Sequence, residues 1–339
     1  MCKKIILSYD YELFFGLNSG TVKKSIVDPT NVLLSAMEAC GFKGNFFVDY
    51  LMIKFLKREK SGEAINDALL IENQIRDIVK RGHRIELHIH AHWLDAKYNG
   101  DGTWDFSDYT HYSLNSLDTD TIISLFDEGT QYLNSIARTV QKDYSVCAFR
   151  AGGWAIQPFH KLREAFLRNK LIIDSSSAYG VYCFHPNSFY DFRNAPQKSI
   201  YRFHDDVCQE SKNGLFIEIP ISTMPFNFMT WIYLKMNTSL YSGGYLDRHT
   251  DGTHLRRDMV KKKPCIIKRI YEKISERQML QMSQHIPYVL KKFIQSTSLD
   301  YYCIIDHPKD ISDATVDNIE MLKDINCQSY TYVDFKNIL

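Results

Sequence analysis

The sequence carries almost no net charge: 41 Lys and Arg side chains offset 40 Asp and Glu, leaving +1 over 339 residues. Proteins that grip nucleic acid do so largely through clustered positive charge on phosphates, so this balance leaves no footprint for such a partner. Eight cysteines are present (Cys2, Cys40, Cys147, Cys183, Cys208, Cys265, Cys303, Cys327), but no two stand in a C-x-x-C pair. Neither a disulfide framework nor a thiolate zinc site is indicated, and several of the eight lie in apolar runs as small core residues. No run of about twenty apolar residues exists to span a bilayer. The opening apolar stretch Ile5-Ile6-Leu7 is too short for a signal core, so a cytoplasmic protein is expected. Internal repeats and low-complexity linkers are also missing. With 45% hydrophobic residues the chain can build a sizeable core, and one domain over 1–339 is expected.

What is present alternates. Apolar runs read as buried strands at Lys3–Ser8, Gly44–Val48, Val146–Arg150, Ile172–Asp174, Leu215–Ile219 and Tyr301–Ile305. Helical spacing predicts helices opening at Asp28-Pro29-Thr30 and over Leu69–Val79, Thr119–Arg138, Pro158–Asn169 and Glu276–Thr297. This βα rhythm predicts an α/β fold with a parallel sheet, most simply a closed or distorted (β/α) barrel. Residues 93–118 read as a long loop over the strand ends. From 180 to 275 the rhythm fails, and an irregular insertion or lid within the domain is expected.

Chemistry gathers where the strands end. Three histidines alternate in Leu87-His88-Ile89-His90-Ala91-His92, and imidazole is the commonest side-chain ligand for transition metals. The first strand runs into Asp10-Tyr11-Glu12, two carboxylates suited to a cation and a general base. Val146–Phe149 ends in Arg150, followed by Ala151-Gly152-Gly153-Trp154, and Tyr301–Asp306 ends in His307-Pro308. In barrel-like α/β folds the carboxyl ends of the strands build the site. If the histidine segment stays extended, His88 and His90 share a face; if it turns after His88, His88 and His92 converge.

The set resembles the polysaccharide deacetylase family, carbohydrate esterase family four. The matches are Ser8-Tyr9-Asp10-Tyr11-Glu12, Gly82-His83-Arg84-Ile85-Glu86-Leu87-His88 to His92, Phe149-Arg150-Ala151-Gly152-Gly153-Trp154, Ile172-Ile173-Asp174 and Ile304-Ile305-Asp306-His307-Pro308, over about residues 3–310. Two departures stand out: Glu12 replaces the usual adjacent aspartate, and the third motif lacks its prolines and tyrosine. The resemblance implies a distorted barrel of the deacetylase type and a metal held by Glu12, His88 and His92, the family pattern favouring His92 over His90. Zinc is the first choice for that set, with iron, cobalt or nickel able to use the same ligands. It further implies Asp10 as base, Arg150 holding Asp10, His307 protonating the leaving amine, and Asp174 orienting His307. A backbone N–H near Gly152 or Gly153 would hold the oxyanion, and Trp154 would contact substrate. Independently of the resemblance, the aromatics Trp93, Trp104, Tyr109 and Tyr112 suit stacking on sugar faces, Trp93 being a candidate contact.

The expected reaction is removal of an N-acetyl, or alternatively O-acetyl, group from an amino sugar. A cytoplasmic location points to a surface-polysaccharide precursor, such as a nucleotide- or lipid-linked unit of a capsule. A basic cluster, Arg248, His249, His254, Arg256 and Arg257, is a candidate contact for phosphate on such a carbohydrate. Two other classes fit the same residues: an amidohydrolase acting on a small amide or ureide, and a non-catalytic relative that binds glycan.

Overall fold

The computed structural model describes residues 2–16, 18–185, 188–225, 244–254 and 277–336. Its strands in chain order are β1 (Lys3–Tyr11), β2 (Gly44–Asp49), β3 (Arg84–Ile89), β4 (Lys97–Tyr98), β5 (Trp104–Asp105), β6 (Ala148–Ala151), β7 (Ile173–Asp174) and β8 (Tyr182–His185). They continue with β9 (Ser188–Asp191), β10 (Tyr201–Phe203), β11 (Phe216–Glu218), β12 (Thr223–Pro225), β13 (Arg277–Met279), β14 (Tyr302–Asp306) and β15 (Cys327–Ser329). The α-helices are α1 (Asp28–Ala39), α2 (Tyr50–Arg58), α3 (Gly62–Lys80), α4 (Thr119–Ala137), α5 (Arg163–Asn169), α6 (Pro287–Ser296) and α7 (Asp313–Asp324).

One nine-stranded sheet follows the order β10-β11-β7-β6-β3-β2-β1-β14, with β15 also pairing β1. Every pairing in it is parallel except β10 with β11. Parallel strands covered on both faces read as continuous apolar runs, which is why β1 and β2 are legible from sequence; β3, whose residues alternate as Arg-Ile-Glu-Leu-His-Ile, is buried just as fully. The ring then closes without a regular ladder. Ser222 N donates to Cys303 O of β14 at 2.9 Å, Leu280 N to Ser222 O at 2.9 Å, and Ile305 N to Leu280 O at 3.0 Å. The expected distorted barrel is the observed one.

The period of two sorts side chains between the inside and outside of that ring. A small apolar cluster of Ile6, Phe47, Ala148, Ile173, Ile217 and Cys303 fills the interior, stoppered by Tyr332 and Phe335 from the chain's end. The larger cluster packs the outer faces of the strands against the helices. On the inward face, register aligns Asp10, Phe47 and Glu86 in one row across β1, β2 and β3, and Asp49, His88 and Arg150 in another across β2, β3 and β6. Going up the barrel, the lining therefore changes from apolar to ionisable at the carboxyl ends of the strands.

Three elements differ from expectation. Helix α2 follows β2 directly, capped by Asp49, whose side chain accepts from Leu51 N. The helix expected from Glu276 to Thr297 begins only at Pro287, since Arg277–Met279 pairs with β12 and Leu280 is needed at the barrel seam. Within 93–118 lie the short β4–β5 pair and a 3-10 turn at Leu114–Ser116, rather than loop alone. Much of the expected lid, including Arg256 and Arg257, falls outside the described residues. No helix among the described residues is long and apolar enough to cross a membrane.

Candidate metal-binding active site

Arg150 organises the floor of the site. Its side chain is fully buried on β6; Nη1 donates to Asp10 Oδ1 at 2.7 Å, Nε to Ser175 O at 2.7 Å, and Nη2 to Ser8 Oγ and Ser175 Oγ, both at 3.0 Å. Nη2 also reaches Tyr332 Oη at 3.2 Å, and the guanidinium lies over the Phe47 ring at 4.2 Å. A rigid fork so fully used fixes one oxygen of Asp10 and leaves Oδ2 on the side of His307, 3.7 Å from its Nε2.

Above it, Glu12 meets the histidines. Its Oε2 lies 2.9 Å from His88 Nε2 and 3.3 Å from His90 Nε2. All three side chains are buried, and they form a cluster able to offer one ligand atom each. His88 Nδ1 donates to Arg150 O at 2.8 Å, which fixes the ring and turns Nε2 toward Glu12. Burial opposes charge on His88, yet the bond to Glu12 and the fields of Asp10, Glu12 and Asp49 carry its pKa up to about 9. Position Nε2 thus calls for a positive charge, proton or metal. Glu12 is held well below the usual carboxylate range: burial opposes this, but Lys309, His90 and His88 outweigh it.

The donor set fits a metal. Tetrahedral zinc with bonds of about 2.0–2.1 Å keeps its ligand atoms about 3.3 Å apart. The two Glu12–His separations are already within a few tenths of an ångström of that spacing.

His92 does not join this cluster, which corrects the expected Glu12, His88 and His92 set. His90 keeps an extended backbone (φ −103°, ψ 99°), so His88 and His90 stay on one face. The chain then enters a 3-10 turn over Ala91–Asp95 that carries His92 away. Its ring is caged by Phe15, Phe106, Tyr109 and Tyr112 at centroid distances of 4.6 to 5.5 Å. Trp93, an expected substrate contact, lies in the core. It is fully buried against Trp104 and Phe106, and its Nε1 donates to Asp49 Oδ2 at 2.6 Å.

His307 Nε2 lies 3.7 Å from Asp10 Oδ2 and 3.6 Å from Glu12 Oε1. The carboxylate beside its Nδ1 is Asp310, at 3.4 Å, not Asp174. Asp174 instead accepts from Ser176 N and Oγ at 3.0 and 2.8 Å and faces the buried Glu218 across the β7–β11 pairing. Burial lowers the pKa of His307, helped by Lys309 and opposed by Asp10, Asp310 and Glu12.

The glycine pair lies directly against the cluster. A Cβ on Gly152 would stand 2.7 Å from the His90 ring and from Ile89 O; Gly153, at φ +58°, would meet Tyr112 at 2.9 Å. Trp154 is half-buried and packs edge-on against Tyr190. Of the expected basic cluster, Arg248 and His254 face Asp310 at 3.6 and 2.6 Å, and His249 faces Asp313 at 3.4 Å. Those side chains already have carboxylate partners.

Sequence reasoning missed three buried groups beside the site. Asp49 accepts from His90 N at 3.2 Å and is pushed by burial to about 7. Its place at the end of a predicted strand was the available signal. Asp310 and Lys309 follow His307-Pro308 in a 3-10 turn. Lys309 Nζ donates to Glu12 Oε1 at 2.7 Å and to Leu13 O at 2.8 Å.

No protein-family model and no curated relative matches the chain. Among solved structures, a candidate polysaccharide deacetylase from Mycobacterium smegmatis superposes with a TM-score of 0.48 at 12% identity, over 98% of this chain and 88% of that one. The 4-alpha-glucanotransferase from Thermococcus litoralis gives 0.48 at 9%, over 99% and 38%. A family 4 carbohydrate esterase from Streptomyces lividans gives 0.41 at 9%, over 98% and 94%. Overlaps at this level carry no statement about activity, which rests on the side chains at the strand ends.

Proposed function

We propose that this protein is a metal-dependent deacetylase that hydrolyses the N-acetyl group of an amino sugar. The observation that carries the reading is the meeting of Asp10 and His307, 3.7 Å apart, beside the buried Glu12–His88–His90 cluster. A divalent ion held by that cluster would supply Lewis-acid polarisation and an acidified water.

The chain's own groups then complete an amide hydrolysis. Asp10, its Oδ1 held by Arg150, offers Oδ2 to take a proton from water as the water oxygen bonds to the acetyl carbon. The C–N bond breaks, the amine nitrogen receives a proton from His307, and acetate and a free amine leave. Asp310 beside Nδ1 supports His307 in the charged form. An O-acetyl ester would suit the same attack with less need of that proton. Tyr112 and Trp154, flanking the glycine pair, offer rings of the kind that stack on sugar faces.

The substrate we infer is the amino-sugar unit of a surface-polysaccharide precursor, nucleotide- or lipid-linked, and zinc is the first choice of metal. The motif order from Asp10 to His307 supports the sugar class. The test is acetate release, with and without added zinc or cobalt, from a panel of nucleotide-linked, lipid-linked and polymeric N-acetyl sugars. Activity confined to long uncharged polymers would contradict the precursor, and release unaffected by chelation would contradict the metal.

A further inference from the structure

Lys309 is only 3% exposed, and lysines are almost never buried to this degree without a partner. Its ammonium donates to Glu12 Oε1 and Leu13 O and lies 5.4 and 5.3 Å from the ring centroids of Phe14 and Phe15. The other Glu12 oxygen, Oε2, faces His88 and His90. The carboxylate is therefore divided: one oxygen belongs to a lysine, the other to the two imidazoles. Among the described residues, the neighbouring arginines serve other acids, Arg150 on Asp10 and Arg248 on Asp310. Pro308 and the 3-10 turn over Pro308–Asp310 fix where Lys309 leaves the backbone, in the same turn that positions His307.

We propose that Lys309 is a built-in counter-cation for Glu12, which keeps the cluster assembled when no ion is bound, restricts Glu12 to a single ligand oxygen, and lowers the affinity for the ion that binds. The last two effects rest on the metal-site reading above; the first does not. The Lys309 ammonium, 2.7 Å from Glu12 Oε1, compensates that buried carboxylate before any ion arrives. An arriving divalent ion then meets a carboxylate whose far oxygen already carries an ammonium, rather than an unpaired one. Lys309→Met keeps most of the aliphatic stem and removes that charge. It destabilises the empty site and tightens the loaded one.

The test is a cycle of four chelator-treated full-length proteins: wild type, Lys309→Met, Glu12→Gln and the double variant. Their melting temperatures are measured with and without zinc, and zinc affinity is read by chelator competition. Both single variants should melt lower than wild type, and the double variant should lose less than the two losses combined. Lys309→Met should bind zinc about tenfold or more tightly than wild type, the scale of outer-sphere effects on metal sites, and should gain more melting temperature from it. Additive losses, or an unchanged or weakened zinc affinity in Lys309→Met, would overturn the proposal. Coupling without zinc uptake by either protein would sink the metal reading while supporting the ion pair. If Lys309→Met does not fold alone, recovery of folding in the double variant supports the pair and failure of both overturns it.

Discussion

At the scale of single residues, the site divides ligand from base by one step of the β1 pleat. Asp10 and Glu12 point the same way into the barrel, but Arg150 takes Asp10 whereas Lys309 and the imidazoles take Glu12. Asp10→Asn should therefore keep the metal and lose turnover by roughly 10²–10⁴-fold, the range of general base catalysis. Metal content by elemental analysis and acetate release check the two halves separately. The histidines make a sharper test. His90→Ala should lose stoichiometric metal, whereas His92→Ala, which empties an aromatic cage, should retain it and lose stability instead. Retention in His90→Ala with loss in His92→Ala would restore the ligand set expected from sequence.

At the scale of elements, that choice came down to where one strand ends. Alternation in Leu87–His92 was legible, but whether the segment turned after His88 or after His90 is decided by tertiary contacts. Asp49 on the neighbouring strand accepts from His90 N and so extends β3's conformation past its last ladder residue. Strands such as β1, β2 and β14 are legible because burial on both faces leaves an apolar run, which the alternating β3 does not have. Lys309 and Asp310 were not, because a charged residue in a polar turn normally lies in solvent and nothing in the local pattern marks these as buried. Seam segments such as Ser222 and Leu280 bond across the gap without forming a regular ladder and leave no periodic trace. The β6 loop adds a test at this scale. Gly152→Ala places a methyl into the His90 ring and Ile89 O, so it should cost about 1–3 kcal/mol, as overpacking does. Denaturant unfolding measures that cost, and zinc affinity should fall with it because His90 must move.

At the scale of the whole molecule, the barrel is tied at the end opposite the site by a histidine outside it, His83. His83 starts the lead-in to β3; its Nδ1 accepts from Gly44 N at 2.9 Å, joining the amino ends of β2 and β3. Burial, aided by Lys43 and Arg81 and opposed by Glu38, lowers its pKa to about 4. Because the folded value lies below the ordinary 6.5, the unfolded chain binds the extra proton between those values. The stability His83 contributes is present above pH 6.5 and lost as pH falls toward 4, by up to about 3 kcal/mol. Asp49 and Asp306, both pushed by burial to about 7, run the other way and gain protons in the folded state over the same window. The wild-type profile is thus a balance, and the readout is a difference. In His83→Asn an amide oxygen can accept from Gly44 N without titrating. Unfolding free energies measured from pH 7.5 to 4 should show the variant gaining on wild type by a few kcal/mol as pH drops. Parallel profiles would mean that His83 accepts a proton in the folded barrel without breaking the β2–β3 tie.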